Sequence, residues 1–152
     1  MDQMKKIYLT GLFILIFFNA FAQYNRGYRL VADKAFDQKN YYAAAYYYSK
    51  AMGEKKSDPQ LDIAFDSKFA FVKKTSAADS AWLFYRAGES YRLYENYREA
   101  EPKYNKVLQA GYDRDYPLTR LWYAICLRAG GQYDKAIEEL TKFLAVFNGE
   151  KE

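Results

Sequence analysis

The sequence predicts an all-α fold assembled from helix–turn–helix hairpins. Three observations carry that expectation. Small residues alternate with large ones at helical spacing, as in Phe84-x2-Ala87-Gly88-x2-Tyr91 followed by Ala100-x3-Tyr104. The signature Asn-Tyr-x-x-Ala at 40–44 and 96–100, and Gln-Tyr-x-x-Ala at 132–136, returns in phase with the helix upstream of it. Turn formers then separate the segments, at Asp37 to Asn40, Gly53, Glu95-Asn96, Gly111 and Gly130-Gly131.

In chain order, Met1 to Ala22 reads as a cleavable signal peptide. Lys5 and Lys6 form the basic start, Ile7 to Phe18 the apolar stretch, and Ala20-Phe21-Ala22 the small-x-small cleavage pattern. The apolar run is shorter than the ~20 residues a membrane span needs, so no stable span is expected after cleavage. No cysteine lies at the cleavage point, where Gln23 follows Ala22, which excludes a lipoprotein leader.

Tyr24 to about Phe36 and Tyr41 to Met52 then carry small or apolar residues on one helical face, with Ala32, Ala44 and Tyr48 among them. Residues 54–75 form an irregular insert, rich in Phe65, Phe69 and Phe71, that either folds back over the helices or is a frayed connector. Ser57-Asp58-Pro59 favours a short helical turn inside it.

Ser76-x-x-Asp79 signals a capped helix start. Two helices across Ala81–Tyr112 follow, the second carrying Pro102 a turn inside, where a kink or a late start is expected. Pro117 opens the next helix, and Tyr133 to Phe147 form the last, with Ala136-x3-Leu140 on its packed face. Ile137 and Leu144 mark a second face with no visible cover, expected to be an interface.

Composition bounds the functions. Half the 152 residues are hydrophobic and a fifth aromatic, with 17 Tyr against 11 Phe and 2 Trp, ample for one core. Tyrosine suits thin helical layers, where a ring buries its body and keeps its hydroxyl near water. The net charge of +4 falls to +3 without the leader, and the charges are interspersed, which argues against nucleic-acid binding. There is no histidine, so His-based triads and imidazole metal sites are excluded. The single Cys126 permits no intramolecular disulfide and is expected to be buried and inert.

The spacing of Phe84, Ala87, Gly88, Tyr91, Ala100 and Tyr104 resembles the tetratricopeptide (TPR) repeat, a hairpin of about 34 residues. The resemblance implies a solenoid of about three repeats, at 25–53, 78–111 and 117–148, within a domain spanning 23–152. Steps between the matching alanines depart from 34: the insert lengthens the first, and the second, from Ala100 to Ala136, is 36. Signal peptide, Tyr-rich first repeat, insert and the Ala87-Gly88-Glu89-Ser90-Tyr91-Arg92 helix are also similar to the N-terminal TPR region of bacterial envelope proteins that continue into a β-propeller and an OmpA-like domain. Neither later domain is present, so peptidoglycan binding is not carried over.

In TPR arrays the first helices line a concave peptide groove. The resemblance places Arg26, Arg29 and Asp33, then Trp82, Tyr85, Glu89 and Arg92, then Leu118, Leu121, Ile125 and Arg128 on that face. Arginines among aromatics suit an acidic or C-terminal peptide. The carboxylate-clamp subclass is disfavoured, because Arg29, Asp33 and Glu89 stand where it needs Lys and Asn. Asp33 with Asp37, and Asp113 with Asp115, are carboxylate pairs better explained by capping and solvation than by catalysis or cation binding.

The expectation is therefore a non-enzymatic TPR scaffold, exported to the periplasm, that needs no cofactor or metal. It would hold a protein or peptide of the cell envelope, with outer-membrane association through a partner and homo-oligomerisation through the last helix as further options. The alternative is a periplasmic glycan- or peptide-binding carrier.

Overall fold

A computed structural model of the chain describes residues 27–62 and 76–149, with side chains through Val146. The leader at 1–22, Arg26, residues 63–75 of the insert with their three Phe, and the Phe147 side chain lie outside the described residues. Among those described, six helices and no strand occur: α1 (27–37), α2 (Tyr41–Ala51), α3 (Ala77–Leu93), α4 (Tyr97–Gln109), α5 (Thr119–Ala129) and α6 (Tyr133–Gly149). None is long and apolar enough to cross a membrane.

From α2 onward each helix packs on its neighbour in sequence. α1 joins α2 through a core that includes Tyr28, Ala32 and Ala35 against Ala44, Tyr47 and Tyr48. The chain is thus three successive hairpins, α1–α2, α3–α4 and α5–α6. Alanine sits where paired helices touch: Ala32, Ala44, Ala87 and Ala100 are fully buried, and Ala124 and Ala136 nearly so. Gly88 makes the tightest approach. A methyl group there would lie 3.0 Å from the ring of Tyr104, which is itself fully buried.

Five helices end in the same way. The residue after the cap turns left-handed, and paired reverse hydrogen bonds satisfy the last carbonyls. Lys39 (φ 60°) does this after α1, with Asn40 N donating to Ala35 O at 2.9 Å. Glu95 (φ 66°) does it after α3, with Asn96 N on Tyr91 O at 2.8 Å, and Gly131 (φ 76°) after α5, with Gln132 N on Leu127 O at 2.9 Å. Gly53 and Gly111 close α2 and α4.

Asn40 and Asn96 then serve twice. Their backbone closes one helix while their side chains accept from Ala43 N (3.2 Å) and Glu99 N (3.3 Å) to start the next. The recurring Asn-Tyr-x-x-Ala is therefore a turn with a cap and a buried contact. Ser76 and Asp79 form a reciprocal capping pair at α3, with Asp79 N donating to Ser76 Oγ at 3.0 Å.

Two local expectations shift. α5 begins at Thr119 rather than Pro117, because Pro117 is used in the preceding turn, where Thr119 N bonds Tyr116 O at 2.9 Å. α4 begins at Tyr97 in spite of Pro102, since the Asn96 cap secures its first turn and the proline falls at an exposed position.

Left-handed backbone disfavours side chains with a Cβ, so Glu95→Gly should raise the unfolding free energy by about 0.5–1 kcal/mol. Gly131→Ala should lower it by about 1 kcal/mol. Urea unfolding followed by circular dichroism measures both.

Candidate functional site

Tyr48 and Tyr104, 56 positions apart, are both fully buried, hydroxyl included. Each hydroxyl is met from two sides. Tyr48 donates to Asp33 Oδ1 at 2.6 Å and accepts from Arg86 Nε at 3.1 Å. Tyr104 donates to Glu89 Oε1 and accepts from Arg92 Nε at 3.1 Å, while Arg92 Nη2 bonds Glu89 Oε2 at 2.7 Å.

Burial pushes both phenols above their ordinary value, and the carboxylate acceptors add to it. For Arg92 burial pulls down, but Glu89 and Tyr104 outweigh it and raise the guanidinium. Both triads therefore hold a neutral phenol between fixed charges. The layered-tyrosine expectation fails at these two rings, because each buried hydroxyl finds an acid on the first helix of its own hairpin and an arginine on α3.

Of the described arginines expected to bind a partner, only Arg92 belongs to a triad. Arg92 lies 3.9 Å from the Trp122 ring centroid and Arg86 3.6 Å from that of Phe36. Arg29 lies 3.9 Å over Trp82 and reaches Asp79 Oδ1 at 3.4 Å. Tyr85 stacks on Tyr116, with centroids 4.5 Å apart and planes at 15°. Arg29 with Trp82 and Glu89 with Arg92 thus come together as contacts within the fold.

Arg128 stands apart. In the third hairpin Ile125 and Leu140 occupy the positions of Glu89 and Tyr104, so no triad forms, and the Arg128 side chain is exposed without a bond among the described residues. Arg120, at a position where an aromatic is usual, instead bridges Glu139 (2.5 Å) and Asp113 (3.0 Å).

A second arrangement involves the described start of the insert. Residues 54–62 run as a strap over α2 and α4. Glu54 pairs with Lys103, which is 7% exposed, and Lys56 Nζ bonds Glu99 Oε2 at 3.1 Å and the Tyr91 hydroxyl. Burial pulls the Lys56 ammonium down, yet Tyr91 and Glu99 leave it raised. Tyr47 donates to Leu61 O at 2.9 Å, Tyr42 to Asp58 Oδ2 at 2.7 Å, and Tyr46 to Asp62. Asp58 caps a single turn, accepting from Gln60 N at 2.9 Å. The Tyr46 hydrogen bond, helped by Ser57 and Lys50, holds the Asp62 carboxyl at about 2.

Between strap, α2 and the α3–α4 turn lies a cleft of about 400 Å3 lined by Tyr42, Tyr46, Tyr91, Tyr94, Lys56, Ser57, Asp58, Asn96 and Glu99.

On α6, Tyr133, Ile137 and Leu144 are 64%, 63% and 52% exposed on one face, while Ala136 packs inward. Cys126 is buried at the α4–α5 contact, and burial pushes its thiol up to about 12, so it is a packing residue without thiolate character. Among the described residues no three acidic or thiol side chains converge as metal ligands do. No protein-family model, curated protein or solved structure matches the chain.

Sequence reasoning missed Arg86, the Glu54–Lys103 tie and the tyrosine cleft. The 56-residue offset that relates Asp33 to Glu89 and Tyr48 to Tyr104 was the available signal for the acid and phenol of each triad, while the arginines do not share it. Strap contacts carry no such periodic signal.

Lys103→Met should leave stability within about 1 kcal/mol of wild type, whereas Glu54→Ala, which strands a buried ammonium, should cost about 1–3 kcal/mol. The double variant should recover most of that loss in the same urea assay. Asp62 is depressed from an unfolded value of about 3.9, so its contribution is present above that pH and is lost as pH falls toward about 2. A carboxyl carbon NMR titration should find its midpoint near about 2, and Tyr46→Phe should move it upward.

Proposed function

We propose that this chain is an exported, non-enzymatic scaffold of the tetratricopeptide kind that holds another protein of the bacterial cell envelope. Three hairpins with one turn geometry and alanine at matching contacts support the repeat. The leader pattern at 1–22 supports export to the periplasm, and a chain without histidine supports a binding role over acid–base chemistry.

One observation carries the scaffold reading: the exposed apolar stripe Tyr133, Ile137 and Leu144 on α6. An amphipathic helix gains stability by covering such a stripe. The chain itself offers a precedent. On α2, Ala45 and Ser49 occupy the positions matching Ile137 and Thr141, and both are buried, with Ser49 Oγ 2.9 Å from the Tyr91 hydroxyl of α3. A partner helix seated on α6 as α3 sits on α2 would bury the same face. Arg128, at the end of α5, is exposed without a bond among the described residues and is available to a carboxylate. By contrast, Arg29 and Arg92 are already engaged with Trp82 and Trp122, which weakens the groove they were expected to form.

A second reading, a periplasmic carrier for a glycan or peptide, draws on the tyrosine-lined cleft beside Tyr42.

Ile137→Glu combined with Leu144→Glu tests the scaffold. Both sites are exposed, so the fold should persist by circular dichroism. Proteins recovered from envelope extract by the wild type, or a second copy seen by light scattering, should be lost. Unchanged recovery and unchanged self-association would refute the α6 contact.

A further inference from the structure

We propose that the cleft between α2, the strap and the α3–α4 turn is a subsite for a neutral saccharide ring. This rests on the carrier reading above and gives it a location and a ligand class. It is independent of the α6 contact.

At about 400 Å3 the cleft falls within the roughly 300–1,000 Å3 of small-molecule sites. Its lining combines two kinds of surface. Tyr42 and Tyr94 supply open ring area, with Tyr46 and Tyr91 buried behind them, and Ser57, Asp58, Asn96 and Glu99 form a rim of hydrogen-bonding groups. A pyranose has the matching halves, an apolar C–H face and a girdle of hydroxyls that both donate and accept.

The rim is held in place before any ligand arrives. Tyr42, 54% exposed, stands edge-to-face with Tyr94 (5.7 Å, 74°), and its hydroxyl is fixed by Asp58 Oδ2 at 2.7 Å. Asn96 Nδ2 donates to the Tyr94 hydroxyl at 3.3 Å, which leaves the Tyr94 proton without an acceptor among the described residues. Glu99 gives Oε2 to Lys56 at 3.1 Å and keeps Oε1. Ring surface, one phenolic donor and one carboxylate acceptor are thus set around one space, which lowers the ordering cost of binding.

Other ligand classes fit less well. An anion would meet Asp58 and Glu99. A cation would find the place over Tyr91 taken, since Lys56 Nζ already lies 4.8 Å from that ring centroid. An aliphatic side chain would desolvate the rim and give its polar groups nothing in return.

The test titrates the full chain by calorimetry with chitotetraose and with cellotetraose, and separately with the tripeptide Gly-Lys-Gly. Saturable binding of a tetrasaccharide is expected. Tyr42→Phe should keep it within a few-fold, and Tyr42→Ala should weaken it at least about tenfold, or about 1.4 kcal/mol. Tyr42 is exposed on a helix that tolerates alanine, so unchanged circular dichroism is expected for both variants. Saccharide binding indifferent to Tyr42→Ala would place the ligand elsewhere and overturn the site. Tripeptide binding without saccharide binding would overturn the saccharide assignment and leave the carrier reading standing. Binding of none of the three would overturn both.

Discussion

A tyrosine buried to its hydroxyl must find partners, because an unmet buried polar group costs about 1–3 kcal/mol. Tyr48 and Tyr104 meet that demand in the same way, with an acid from the first helix of their own hairpin and an arginine. The arginines then determine much else. Arg86 comes from α3, so satisfying Tyr48 also ties the second hairpin to the first. Arg92 turns its flat face to Trp122 and so joins the second hairpin to the third. A guanidinium committed to a phenol and an indole cannot leave for a peptide without stranding both. The exposed stripe of α6 and the surface around Tyr42 both lie outside the triads.

What was legible in the sequence was what is local. Helix ends follow from Gly53, Gly111 and the Asn caps, because capping chemistry lies within a few residues of the turn it closes. Alanine at 44, 100 and 136 marked the contact positions because helical spacing brings them to one face. The α6 stripe was legible for the same reason. The start of α5 was not, since Pro117 suits a turn as well as a first helical residue. The strap was illegible for a stronger reason. Glu54 and Lys103 are 49 residues apart, and no periodicity links an extended segment to the helix it crosses. Arg29 and Arg92 were read as exposed charges because their partners are ring faces on other helices, which composition and spacing do not pair.

The tyrosine excess divides by environment. Tyr48 and Tyr104 serve the interior. Tyr42 is exposed and Tyr46 and Tyr47 are buried, yet all three hand their hydroxyls to the strap. Three adjacent tyrosines on one helix are therefore a docking strip for the chain's own backbone and acids. The cleft at its edge is where that strip meets the α3–α4 turn, so its shape depends on the strap staying in place.

The strap also alters how the hairpins share stability. In a stack where each unit touches only its neighbours, units unfold in sequence from an end. Glu54 and Lys56, just past α2, add ties from the first hairpin to Lys103 and Glu99 on α4 of the second. The first two hairpins are thereby cross-linked into one cooperative block. The third has no buried triad; α4–α5 packing, the Trp122–Arg92 contact and a 3.3 Å hydrogen bond from Gln132 to Glu101 of α4 join it to that block. Opening of the array is then graded, with α5–α6 able to detach or rearrange while the block behind it stays folded.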